Sequence, residues 1–187
     1  MMYERYDYRE AVKADALEAI RDQYKPETLA DILDLFKKRD EIYDDLWTND
    51  AVTGNASGSY TFSTWKAEEN IYHNLDLLSE ACEEFGSTCN ILKDGAEACD
   101  VTIRCYLLGE AIDEALEDLA HEVLVNELLG KIGGDRIESI KTIELVTGYE
   151  VEGFGDWGEL ADEAHTLIEQ ADREQLEAWL DEINKAA

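Results

Sequence analysis

Residues 100 to 129 read DVTIRCYLLGEAIDEALEDLAHEVLVNELL, and the spacing of their apolar positions decides the fold class. Ile103, Leu107, Leu108, Ile112, Leu116, Leu119 and Val123 recur at three and four residues, which is the period of one helix face. Asp100 stands where a helix N-cap belongs. Gly109 marks either a bend or a close approach, and Gly130 with the Gly133-Gly134 pair supplies the stop. One long helix with a buried side, running from Asp100 toward Leu129, is therefore expected.

Working toward the N-terminus, Thr64 opens a helix carrying Ile71, Leu75, Leu78, Cys82 and Phe85, closed by Gly86 at a C-cap position. The stretch from Thr48 to Ser59, TNDAVTGNASGS, lacks helix formers and reads as a loop, with a short extended segment expected at Ser59–Phe62. Before it, residues 7 to 24 place Val12, Ala16, Ala19 and Ile20 on one stripe. Lys25-Pro26 breaks the chain, and a second helix runs from Pro26 to about residue 48, so the two form a helical hairpin.

Toward the C-terminus the pattern changes. Ile140, Ile143, Leu145 and Val146 fit neither period cleanly, and the Thr, Val and Tyr content between residues 135 and 152 leans toward one or two strands. Leu160, Ala164, Leu167 and Ile168 then restore a helix, and Asp172 with Gln175 caps a last one bearing Leu176, Trp179, Leu180 and Ile183. The expected fold is mainly α with a small β component, a bundle-like helical core with a short strand region near 135–152. The expected organisation is a helical main domain over 1–134, with 135–187 as a strand region plus two C-terminal helices that either stand apart or pack into the same domain.

The chain is 187 residues long, and its 45% hydrophobic content with nine Tyr, four Trp and four Phe is enough for a packed core. Its charge is the outlying quantity: 45 Asp+Glu against 16 Lys+Arg, net −29. Such a field repels nucleic acids and anionic membranes and draws in basic protein surfaces. Direct nucleic-acid binding is disfavoured, although halophilic adaptation produces the same balance with no specific partner. There is no N-terminal apolar segment of the secretory kind and no apolar run of spanning length, so the chain is expected to stay in the cytoplasm where it is made. Cys82, Cys89, Cys99 and Cys105 match no compact zinc spacing and read as reduced thiols.

Two windows concentrate the charge. Cys105–Gly130 holds seven acids and no base, and Thr142–Asp172 holds nine acids and no base. A merely solvated helix surface usually interleaves Lys at i+4, and neither window does so. In the first window Glu110, Asp113, Glu114, Glu117 and Asp118 fall on one helix face. Carboxylates on successive turns stand about 5 to 6 Å apart, close to the phosphate spacing along a nucleic-acid strand of about 6 to 7 Å. In the second window Tyr149, Glu150, Glu152, Asp156, Trp157, Glu159, Asp162 and Glu163 combine aromatic anchors with carboxylates in a glycine-rich setting. The plainer alternative for Phe154 and Trp157 is that they cover the core.

Catalysis has little to stand on. His73, His121 and His165 each have an acid at helical spacing, and Asp118-x-x-His121 echoes half of a bundle metal site. Acids are so frequent here that such pairs arise by chance, and no second Glu-x-x-His completes the set. There is no P-loop, H-E-x-x-H or G-x-S-x-G. The expectation is a protein that is not an enzyme, with no metal site and no cofactor.

The segment Trp47–Asn70, WTNDAVTGNASGSYTFSTWKAEEN, followed by an acidic helix, resembles small proteins carried on phages and mobile elements of Gram-positive bacteria, over about a third of the chain. Several proteins of that setting are anti-CRISPR or antirestriction factors, and some of these are acidic DNA mimics. The resemblance implies a nuclease inhibitor that occupies a basic nucleic-acid-binding surface, most specifically that of a type II CRISPR RNA-guided nuclease. It carries over no individual binding residue, because mimics share a field rather than a motif. The alternative from another class is an acidic adaptor or scaffold that binds partner helices.

Overall fold

The computed structural model describes residues 6–55, 64–152 and 154–185. Ten helices make up the described part, and no strand occurs among the described residues. In chain order they are α1 (Tyr8–Tyr24), α2 (Leu29–Lys37), α3 (Arg39–Trp47), α4 (Thr64–Tyr72), α5 (Leu75–Glu84), α6 (Ile91–Asp94), α7 (Ala96–Ile132), α8 (Arg136–Thr147), α9 (Phe154–Gln170) and α10 (Arg173–Lys185). The extended segment expected at Ser59–Phe62 lies outside the described residues, as does the end of the 48–59 loop.

The main correction concerns residues 135–152, where the small β component was expected. Arg136–Thr147 forms α8, and the residues after Gly148 form a connector. The Asp135 carboxylate accepts the backbone N–H groups of Ile137 and Glu138, and Gly148, at φ 75°, closes the other end with its N–H bonded to the Glu144 carbonyl. The buried face is Ser139, Thr142, Ile143 and Val146, at helical spacing, while Ile137 is exposed. Two hydroxyl residues on the buried face and an isoleucine outside it hid the helical period.

A second correction concerns Asp100. It is not an N-cap: α7 begins at Ala96, and Asp100 lies fully buried within it. The Tyr8 hydroxyl donates to it at 2.6 Å and Arg104 Nε at 3.0 Å. Arg104, itself 4% exposed, also donates to Asp15, to the Val52 carbonyl and to the Tyr6 hydroxyl. Burial pushes the Asp100 carboxyl above the usual range, against the Arg104 guanidinium that pulls it down.

Two helices expected to be continuous are divided. The Pro26–48 helix separates into α2 and α3 at Lys38, whose φ of −98° and ψ of 16° leave the helical region. The 64–85 helix separates at buried Asn74, whose side-chain amide donates to the Asn70 and Tyr6 carbonyls at 2.8 and 3.0 Å. An amide that satisfies two carbonyls offers the backbone an alternative to the helix ladder.

The chain forms two compact units, residues 1–26 with 33–116 and residues 27–32 with 117–187, so α2 and α7 each contribute to both. In the first, Tyr8, Val12, Ala16 and Ile20 of α1, Ile42 and Leu46 of α3, Leu78 and Ala81 of α5 and Ile103, Leu108 and Ile112 of α7 are buried. In the second, Leu124, Leu128 and Ile132 of α7 pack with Ile143 and Val146 of α8, Ala164 and Ile168 of α9, and Leu176, Leu180 and Ile183 of α10. No helix of the described residues is long and apolar enough to cross a membrane.

Candidate partner-binding faces

The two acidic windows differ in what surrounds them. On α7, Glu110, Asp113 and Glu114 project from the exposed face, and bases distant in sequence meet them: Arg9 pairs with Glu110, and Lys13 Nζ lies 4.0 Å from Glu114. Arg39 forks onto Asp113 at 2.6 and 2.9 Å and donates to the Gly109 carbonyl at 3.1 Å. A Cβ on residue 109 would stand 3.2 Å from that guanidinium, so the glycine serves close approach rather than a bend. The hydrogen bonds to Asp113 raise the Arg39 pKa above its ordinary value. The helix has no base of its own here, but α1 and the start of α3 bring three.

Farther along α7, in the second unit, Glu117 accepts two hydrogen bonds from Arg173 Nη1 at 2.8 and 3.0 Å, and Asp118 is exposed. Arg173 also bonds Glu177 at 2.8 Å. Glu110, Asp113, Glu114 and Glu117 thus each have an internal counterion.

The second window is built differently. Tyr149, Glu150 and Glu152 lie in the connector after α8, which is held by the Val151 N–H donating to Glu144 Oε1 at 2.9 Å. Trp157, Glu159, Asp162 and Glu163 lie on α9; the three acids project opposite buried Ala164 and Ile168, whereas Trp157 shares the face of those two residues. The side chain of Asp156 lies outside the described residues. Glu150, Glu152, Glu159, Asp162 and Glu163 are all exposed, and among the described residues none of them pairs with a base. Tyr149 is 60% exposed and Trp157 38%, so neither ring is closed into the core. At α9 the spacing of Glu159, Asp162 and Glu163 places three unpaired carboxylates on one face.

The histidines take no common position. His121 Nε2 stands 3.0 Å from the Ala171 carbonyl, at the junction of α9 and α10, while His73 and His165 are exposed. Among the described residues no three His, Cys, Asp or Glu side chains are arranged to hold a metal ion. All four cysteines are free thiols, and three of them meet: the Cys89 N–H donates to Cys82 Sγ at 3.3 Å, and Cys89 Sγ lies 2.9 Å from Cys99 Sγ. Burial is the main reason that the Cys99 and Cys105 thiols are pushed up to about 12 and about 11.

Sequence reasoning missed the Tyr8–Asp100–Arg104 network and the counterions of α7. A buried arginine followed from nothing local, although Arg104 four residues after Asp100 was a readable ion-pair spacing. Comparison with protein-family models, with curated proteins and with solved structures finds no match to this chain.

Proposed function

We propose that this protein binds a basic protein surface through the acidic segment of the second unit, and that it inhibits a nucleic-acid-handling enzyme, in the first instance a type II CRISPR RNA-guided nuclease, by occupying the surface that holds phosphates. The observation that carries the reading is the contrast in pairing. Most of the α7 acids already have intramolecular counterions, whereas Glu150, Glu152, Glu159, Asp162 and Glu163 have none among the described residues. Exposed carboxylates without counterions keep their full field, steer a cationic surface toward them and gain partners on contact. Two part-exposed aromatic rings in the same segment add the apolar contact area that an interface centre needs.

The test is cleavage of target DNA by such a nuclease, with the protein added before or after DNA, at low and at moderate salt. Inhibition that weakens with salt and disappears once DNA is bound first is the expected result. A folded sample that leaves cleavage untouched in every order, across several nuclease orthologues, would overturn the nuclease assignment. Replacing Glu159, Asp162 and Glu163 together by Gln, Asn and Gln is expected to weaken inhibition at least tenfold with little change in melting temperature, since exposed acids without partners contribute little to stability. Equal inhibition by this variant would remove α9 from the interface.

A further inference from the structure

The second unit contains a cavity of about 380 Å³ between the end of α7, α8 and the segment that enters α9. Ile132, Ile140, Val151 and Trp157 supply apolar walls, and Glu152 and the exposed Arg136 also line it. Ser139 is the unusual member. It is 1% exposed, and its hydroxyl is a buried side-chain group with no hydrogen-bond partner.

Hydroxyls on a helix ordinarily satisfy themselves by donating to the carbonyl one turn back. On α8 itself Thr142 does so to Glu138 and Thr147 to Ile143, both at 2.8 Å. Ser139 does not, although it lies on the same helix and lines the cavity. A buried polar atom without a partner costs free energy, and a group entering the cavity with one polar tip would remove that cost.

The walls and the single hydroxyl define the occupant. An aliphatic group would fill the apolar space and leave Ser139 unsatisfied. An ammonium or guanidinium would lose its hydration against Ile132, Ile140 and Val151 and would meet the Arg136 charge as well as the Glu152 carboxylate. A flat ring with one O–H or N–H satisfies both requirements, and Trp157 offers an aromatic wall to pack against. The approach carries more acid than base: Glu152 and Arg136 both line the cavity, Glu150 precedes Val151 and Glu159 follows two residues after Trp157, and these three acids have no counterion among the described residues.

We propose that this cavity is the anchor pocket of the acidic face, receiving one tyrosine or tryptophan side chain from a Lys- and Arg-flanked segment of the partner, with its O–H or N–H donated to Ser139 Oγ. The inference rests on the reading of a basic partner given above. A short synthetic peptide with Tyr at its centre and Lys and Arg on both sides is the probe, titrated by fluorescence anisotropy against the full-length protein. Companion peptides carry Phe or Ala in place of Tyr.

The Tyr peptide is expected to bind about tenfold or more tightly than the Ala peptide, and its advantage over Phe is expected to vanish in Ser139→Ala. That variant is also expected to melt no lower than the parent, because it removes an unsatisfied hydroxyl. Ile140→Trp, which fills the cavity from a half-buried position, is expected to abolish the Tyr preference and leave only salt-sensitive binding. Equal binding of the Tyr and Ala peptides would overturn the anchor pocket while leaving the basic-partner reading in place. Absence of binding by every peptide at low salt would overturn both, and p-cresol binding without a Tyr preference in the peptides would assign the pocket to a free small molecule instead.

Discussion

Arg104 shows how much a single residue holds in the first unit, because its guanidinium reaches Asp100, Asp15, the Val52 carbonyl and the Tyr6 hydroxyl from a side chain that is 5% exposed. Arg104→Met leaves the Asp100 charge buried with only Tyr8 beside it, and a loss of about 3 to 5 kcal/mol is expected in urea denaturation at neutral pH. The pH dependence has a definite sign. Burial already raises the folded-state pKa of Asp100, and removing the positive charge raises it further above the unfolded value, so the native variant takes up a proton that the unfolded chain does not. Its stability deficit should therefore shrink as pH falls from 7 toward the unfolded Asp value of about 4, and a deficit constant across that range would contradict this account. The cysteines give a second residue-level test. Cys82 and Cys89 are half-buried, whereas Cys99 and Cys105 are buried with thiols at about 12 and about 11. Iodoacetamide at about pH 8 should label the first pair and spare the second, read by peptide mass spectrometry, and labelling of Cys105 before Cys82 would refute the burial.

Among the elements, α8 is where local pattern and structure part company. Asp135 and Gly148 act as its start and stop, but the strand reading passed over both. Its interior hid the helix, because Ser139 and Thr142 occupy buried positions while Ile137 is 69% exposed, so apolar character does not follow the helical period. β-branched content then pointed toward strands. The caps are expected to be measurable: Asp135→Ala should cost about 1 kcal/mol, and Gly148→Ala a similar amount because the φ of 75° disfavours a side chain. Both are read as a lowered urea midpoint, and an unchanged midpoint for Asp135→Ala would mean that the cap does not hold the helix. The long helix α7 was legible for the opposite reason. From Leu107 to Ile132 its buried positions are all Leu, Ile and Ala, so the period survives over about seven turns.

For the whole molecule the governing quantity is a net charge of −29. Exposed ion pairs such as Arg9–Glu110 contribute about 0 to 1 kcal/mol each, so the excess of acids outweighs them, and screening should favour the folded state. Raising ionic strength from about 0.01 M to about 1 M, which shortens the screening length from about 30 to about 3 Å, is expected to raise the melting temperature. A falling melting temperature would mean that the ion pairs dominate. The acid excess, the helical class, one long helix and the grouping of acids into two windows were determined by the sequence alone, because charge is additive along a chain and helix periodicity is local. Which acids remain unpaired was decided only by the tertiary structure. Arg9, Lys13 and Arg39 reach α7 from about 70 to 100 residues away in sequence, and long-range proximity is a property of packing that no local pattern encodes. The same holds for the cavity beside Ser139, whose hydroxyl is conspicuous only once the helix that carries it has closed around it.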